Sequence, residues 1–188
     1  LPDYGNWVAY RILENSDERC AFALDYKLPI GGTMTLGIEL ARGSSLFMET
    51  VTLSKDVPTE GLEVGVGLDL SAARLHVGDL VVDEERRLVS LFEKPHAVEG
   101  EEGSMMDALF CKSAHVAARL VDGPEDSKLV MTMPLKKEDA GRLVLVAFAG
   151  ADWTEAGRFK TAKTWHAYVR SVCDECSKTV NGKKGKTK

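Results

Sequence analysis

The sequence has no long hydrophobic run and none of the short motifs that mark common catalytic sites. No apolar stretch approaches the roughly 20 residues that a bilayer-spanning helix needs, so no integral membrane segment is predicted. G-x-S-x-G, S-x-x-K in a plausible setting, G-x-x-x-x-G-K-[ST] and G-x-G-x-x-G are all missing. We therefore expect no catalytic site and no cofactor.

Positive charge is scarce over most of the chain. Five of the 24 basic residues lie in residues 177–188, which contain no acid, so residues 1–176 carry 19 basic and 29 acidic side chains. Nucleic-acid affinity depends on Lys and Arg contacts to phosphate, so we expect no nucleic-acid partner. The sequence predicts one domain over residues 1–176, followed by a flexible basic tail at 177–188.

Alternating apolar and polar residues predict most of the structure. Met34, Leu36, Ile38 and Leu40 alternate with smaller or polar residues, which is typical of a strand with one buried face. Similar patterns and intervening turn residues predict about nine strands, at 7–13, 20–28, 34–40, 46–53, 62–70, 75–82, 88–92, 129–133 and 143–148. The fold class is therefore mainly β, either an antiparallel sandwich or a partly closed barrel.

Two segments have helical periodicity. A short linking helix is predicted from Ser113, with Val116, Ala117, Leu120 and Val121 sharing a face and a stop at Gly123-Pro124. A longer amphipathic helix is predicted at about 161–177 from the spacing of apolar residues, at positions 159, 162, 165, 169 and 172. The longer helix should cover a sheet face or an open end of the barrel.

The chain has four cysteines, namely Cys20, Cys111, Cys173 and Cys176. They allow three interpretations. The favoured one is a disulfide from Cys20 to Cys173 or Cys176, which would attach the last helix to an early strand of an exported domain. A redox C-x-x-C is less favoured, because the pair lies at the end of its helix beside Asp174 and Glu175, where a thiolate is destabilised. A zinc site is also less favoured, because only one ligand pair has metal-binding spacing.

Two predicted loops are candidates for a binding surface. Residues 93–103 read E-K-P-H-A-V-E-G-E-E-G, an acidic stretch with no apolar periodicity, and Trp153 lies in a second predicted loop at 150–158. The candidate contact residues in these loops are His96, Glu99, Glu101, Glu102 and Trp153. No metal ligands are assigned.

The order of elements resembles the invasion-associated locus B family of small exported bacterial proteins. The resemblance lies in an early N-W-V-A-Y strand, an R-C-A-F-A-L strand with Cys20, the segment S-A-H-V-A-A-R-L-V-D-G, and a final aromatic helix that ends in cysteine. It implies a periplasmic or secreted β-sandwich-like domain without a cofactor. The chain departs from that family in its paired Cys173 and Cys176 and in the acidic loop.

The sequence thus predicts a non-catalytic, exported binding protein with a protein or cell-envelope partner. A first residue other than methionine is compatible with removal of a signal peptide. One alternative is a carrier with an apolar cavity for a small ligand. A second is a thiol redox or metal-binding protein that uses the C-terminal C-x-x-C.

Overall fold

Two antiparallel β-sheets and one α-helix make up the part of the fold that the structure describes. The computed structural model describes residues 5–69, 79–92, 105–111, 117–122, 127–153 and 157–182. In chain order the strands are β1 (Asn6–Asn15), β2 (Arg19–Lys27), β3 (Thr33–Ala41), β4 (Leu46–Leu53), β5 (Glu63–Asp69), β6 (Asp79–Asp83), β7 (Leu88–Phe92), β8 (Met105–Cys111), β9 (Ala117–Asp122), β10 (Ser127–Pro134) and β11 (Leu143–Trp153). The helix is α1 (Ala162–Gly182), and a 3₁₀ turn spans Lys137–Asp139.

Counting the described strands, the larger sheet has eight and the smaller has three. Their spatial orders are β1-β2-β3-β4-β11-β8-β7-β6 and β5-β10-β9. Neither sheet closes into a barrel. All pairings are antiparallel, and β4 meets β11 across a long stretch of sequence.

Pairing register sorts the larger sheet into two faces, because directly opposite residues in antiparallel strands point to the same side. One face, which we call the sandwich face, carries the paired residues Val51 and Leu145 and packs against the smaller sheet at Met131. The other, the helix face, carries the paired residues Leu88 and Phe110. The larger sheet is therefore the middle layer between the smaller sheet and α1.

Helix α1 is held to the sheet by one apolar stripe. Trp165, Val169 and Cys173 recur every four residues and are buried against Phe110 and its neighbours on β7 and β8. The indole Nε1 of Trp165 also donates a hydrogen bond to the Asp107 carbonyl oxygen at 3.2 Å. No helix among the described residues has both the length and the apolar character needed to span a membrane.

The structure confirms the mainly β fold class, the β-sandwich architecture and the C-terminal helix. Each of the nine predicted strands has a counterpart among the described residues. Strand β8 was not predicted, because its apolar residues lie in two runs, Met105–Met106 and Ala108–Cys111, that do not alternate with polar residues.

The predicted linking helix from Ser113 is wrong where the structure describes it. Residues Ala117–Asp122 form β9, in which Ala118 pairs with Met131 and Leu120 pairs with Leu129 of β10. Pairing with β10 gives the backbone N–H and C=O groups hydrogen-bond partners. In a helix of only two turns most of these groups would lie at the helix ends, where they have no partner within the helix. Residues 112–116 lie outside the described residues.

The predicted domain at 1–176 and flexible basic tail at 177–188 stay predictions, although α1 extends into the tail segment. Helix α1 continues to Gly182, six residues beyond residue 176. Residues 183–188 lie outside the described residues.

We expect Trp165→Ala to lower the free energy of unfolding by about 3–5 kcal/mol, because it removes a fully buried indole that joins α1 to the sheet. Urea unfolding followed by circular dichroism measures the change. Lys163→Ala, at an exposed position of the same helix, is the control and should stay within about 0.5 kcal/mol of the original. Similar stabilities for the two variants would contradict this packing of α1.

Candidate binding surface

Strands β1, β2 and β3 extend beyond the part of the larger sheet that α1 contacts, and we call them the wing. On the helix face the wing is polar and internally paired. Arg11 forms a two-bond ion pair with Asp25, with both N–O distances at 3.1 Å. The hydroxyl of Thr35 donates to the same carboxylate at 2.7 Å. Polar groups here satisfy one another in contact with water.

An open depression of about 270 Å³ lies beside this network. Arg19 bridges Glu14 and Glu39, with N–O distances of 3.3 and 2.5 Å, and small residues such as Ala21 and Gly37 lie between the charged side chains. A charged and open depression differs from the enclosed apolar cavity that a carrier of apolar ligands requires.

The opposite side of the wing, on the sandwich face, is apolar. Cross-strand rows join Ile12 to Phe22 and Ile38, Tyr10 to Leu24, and Trp7 to Tyr26. Trp7, Tyr10 and Ile12 expose 58%, 63% and 65% of their surface, and Leu40 is also exposed. We define the apolar wing face by eight residues, namely Trp7, Tyr10, Ile12, Phe22, Leu24, Tyr26, Ile38 and Leu40.

Strand β1 is an edge of the larger sheet and carries little charge. Its charged residues, Arg11 and Glu14, pair with residues of the polar side, so they do not shield the apolar side. Two β-bulges leave Val8 and Leu13 as additional exposed apolar residues along this edge. Natural edge strands are usually protected by lysine, proline or a cover. Among the described residues, this edge therefore lacks the protection that is usual for an edge strand.

Glu49 is a carboxylate on this otherwise apolar layer. It lies in the row that joins Ile38 of β3 to Ala147 of β11, at the boundary between the apolar wing face and the sandwich core. Its side chain is half-buried, and burial raises the pKa of its carboxyl. Among the described residues its carboxylate has no hydrogen bond or ion pair.

Under α1 lies a polar cluster that the sequence did not reveal. Ser90 Oγ and His166 Nδ1 form a hydrogen bond of 2.7 Å, and His166 Nε2 lies 3.6 Å from Asp79 Oδ1. Burial lowers the pKa of His166, and the Arg170 charge lowers it further, whereas Asp79 raises it. These residues are distant in the sequence, so no spacing could have identified them.

The Ser90, His166 and Asp79 cluster does not have the arrangement of a catalytic triad. A catalytic serine contacts His Nε2 while the carboxylate orients Nδ1, whereas here the two nitrogens have the opposite neighbours. Ser90 is fully buried beneath the helix, so no substrate reaches its hydroxyl. The cluster attaches α1 to β6 and β7.

The predicted disulfide from Cys20 to α1 is wrong. None of the four cysteines takes part in a disulfide. Cys20 is on β2, whereas Cys173 packs against β7 and β8. Five strand spacings separate β2 from β7, or roughly 24 Å, and a disulfide needs Cα atoms within about 7 Å. Cys111 lies in the sandwich core, on the opposite side of the sheet from Cys173 and Cys176.

The C-x-x-C pair does not have the environment of a reactive dithiol. Burial is the main cause that raises the pKa of the Cys173 thiol to about 11, and the charge of Asp174 adds to the increase. A reactive cysteine requires the opposite shift. No group of metal-ligating side chains occurs among the described residues.

The predicted contact loops remain predictions. His96, Glu99, Glu101 and Glu102 lie outside the described residues. Trp153 ends β11, where it pairs with Met105, so the predicted loop at 150–158 begins as strand, and the side chain of Trp153 is not described.

Comparison with known proteins assigns the family. A family model described as a domain of unknown function, DUF4861, matches residues 4–181. The chain belongs to the DUF4861 family. No curated protein matches this DUF4861 chain. The comparisons do not bear on the resemblance to the invasion-associated locus B family, which stays a prediction.

This DUF4861 chain is similar in fold to a solved structure described as a "putative kojibiose phosphorylase from human microbiome". The TM-score is 0.50 and the identity is 11%, over 85% of this chain and 21% of the phosphorylase chain. The DUF4861 chain thus spans about a fifth of that protein. At this identity the similarity shows the fold alone.

We expect His166 to make the protein less stable as pH falls below about 6.5, the ordinary pKa of histidine. The folded-state pKa lies lower than the unfolded one, so protonation favours unfolding until pH passes below the folded value. The facing groups are Asp79 on β6, Ser90 on β7 and Arg170 on α1. Urea unfolding from pH 7.5 to 5 should show a smaller decrease for His166→Asn, and equal slopes would contradict the assignment.

Cys173 should react slowly with iodoacetamide at pH 8, because its thiol is buried and its pKa is raised to about 11. Exposed Cys20 should react quickly under the same conditions and serves as the internal control. Peptide mass mapping over time measures both rates. If Cys173 were labelled as fast as Cys20 in folded protein, the redox interpretation would return.

Proposed function

We propose that this chain is a non-catalytic binding module that docks through its apolar wing face onto an apolar surface of another polypeptide. The observation that carries the proposal is the exposure of Trp7, Tyr10 and Ile12 on one side of the wing. The other side of the wing is covered with ion pairs and needs no partner.

The size of the exposed surface supports protein docking. Trp7, Tyr10, Ile12 and Leu40, with the bulged residues of β1, expose on the order of 600 Å² of mostly apolar side chain, at the upper end of the ~300–600 Å² patch of ordinary monomers. A standard protein interface buries ~800 Å² on each partner. Aromatic residues such as Trp7 and Tyr10 are also typical of interface centres.

An enzyme is the main rival to this proposal, because the structural neighbour is described as a phosphorylase. This chain spans about a fifth of that protein, so the neighbour's activity does not transfer to it. Two features favour a non-catalytic role. The Ser90 hydroxyl is closed off by α1, and the Cys173 pKa is raised away from the thiolate form.

A carrier of small apolar ligands has less support than a docking module. A carrier needs an enclosed apolar cavity, whereas the depression beside Arg19 is open and charged. Export to the periplasm or outside the cell stays a prediction from the sequence, now without the disulfide that favoured it. The proposal does not depend on the compartment.

Site-specific photo-crosslinking tests the proposal in cells that produce the natural full-length protein. A p-benzoylphenylalanine in place of Tyr10 should give one discrete adduct. The same group in place of Thr52 should give none, because Thr52 is exposed on the helix face of β4, the strand next to the wing. Adding Ile12→Lys should remove at least about 90% of the adduct, because it places a charge in the apolar contact.

Equal adduct yields from the Tyr10 and Thr52 positions would reject docking through the apolar wing face. A Tyr10 adduct that is insensitive to Ile12→Lys would reject it as well. Circular dichroism of each purified variant confirms that the sheet is intact.

A further inference from the structure

The smaller sheet covers only part of the sandwich face. It packs over Val51, Leu109 and Leu145, on β4, β8 and β11, while the same face continues across the wing with exposed Tyr10 and Ile12. Stacked sheets lie about 10 Å apart, and their inner faces are both apolar. An occupant of the wing would therefore extend an interface that the chain already forms.

Glu49 lies where the covered and uncovered parts of this layer meet. Its neighbours across the strands are Ile38, which belongs to the apolar wing face, and Ala147, which is fully buried in the sandwich core. A sheet that covers the wing as far as Ile38 lies beside this carboxylate. Covering it removes water that now solvates the charge, and burying an unpaired carboxylate is costly.

The occupant can offset that cost by supplying a cation or hydrogen-bond donors. The described residues of this chain supply none to the Glu49 side chain. A second copy would add an equivalent carboxylate to the same apolar layer, and residues 1–176 of each copy carry 29 acidic against 19 basic side chains. Charge complementarity therefore favours a different partner with a basic residue.

We propose that the partner docked on the apolar wing face is a β-sheet surface of another polypeptide, with a lysine or arginine that pairs with Glu49. This inference rests on the proposed function and adds the partner's chemistry. The apolar contacts supply most of the affinity, and the Glu49 pair selects the partner and fixes its register on the wing.

Small amphiphiles can test this chemistry without knowledge of the partner. n-Octylammonium imitates a cation attached to an apolar chain, and 1-octanol has the same chain without the charge. NMR chemical-shift titration of the folded protein at pH 7.5, read at Ile12 and Ile38, gives both dissociation constants. We expect octylammonium to bind about 10-fold more tightly than octanol.

Glu49→Gln should abolish that preference while leaving octanol binding unchanged. Glu60→Gln removes the same charge from an exposed position of a loop and should retain the preference, which controls for the overall acidity of the chain. The preference should also decrease as pH falls, at higher pH than for an ordinary glutamate, because burial raises the pKa of Glu49.

The outcomes separate this inference from the proposed function. Equal binding of the two probes to the original protein overturns the Glu49 pairing but leaves apolar docking intact. No binding of either probe at the wing counts against both. Loss of the preference in Glu60→Gln would show a general charge effect and overturn the pairing.

Sedimentation equilibrium tests the second copy as the occupant. We expect the original protein to remain monomeric at 100 µM or about that concentration, given the excess of acidic charge. A dimer that Glu49→Gln strengthens and Ile12→Lys dissociates would show that the wing binds its own copy, and it would overturn the proposed partner.

Discussion

The structure depends on burying strand β8 from both sides. Leu109 and Cys111 point into the sandwich, while Met106 and Phe110 point toward α1, and all four are buried. A strand of this kind cannot be left with a solvated face, so the middle of the larger sheet needs a cover on each side. The smaller sheet and α1 are those covers. The positions of β5, β9, β10 and α1 follow from this requirement.

The need for a cover decreases toward the wing, but only on the helix face. On the helix face the apolar residues of β7 and β8 give way to charged residues such as Arg11 and Asp25, and α1 is no longer needed there. On the sandwich face the residues stay apolar up to the edge strand, at Tyr10 and Ile12, although the smaller sheet no longer covers them. The helix face of the wing is therefore suited to contact with water, whereas its sandwich face exposes apolar side chains to water. This asymmetry is the reason for placing the binding surface on the sandwich face.

Sequence patterns predicted the strands with one wet face and failed where burial is two-sided or contacts are distant. The alternation of Met34, Leu36 and Ile38 correctly indicated a strand, and the spacing of Trp165 and Val169 indicated the helix. Strand β8 has no alternation and could not be distinguished from other buried segments. The apolar residues of β1 correctly indicated a strand, but alternation cannot show that its apolar side lacks a cover. The cysteine prediction failed because sequence gives no strand order, and β2 and β7 proved to be far apart.

Half-buried Glu49 and buried His166 differ in how the described part of the fold accommodates an ionisable group. His166 has Ser90 at 2.7 Å, lies under α1 and can be neutral at physiological pH, so the fold itself accommodates it. Glu49 lies opposite Ile38 and Ala147 on the neighbouring strands, and among the described residues its carboxylate makes no hydrogen bond or ion pair. A glutamate at such a position is tolerated only while water reaches it or a donor is supplied. Since the adjoining face is apolar and the described residues offer Glu49 no donor, this carboxylate is the reason for proposing a cation on the group that covers the wing.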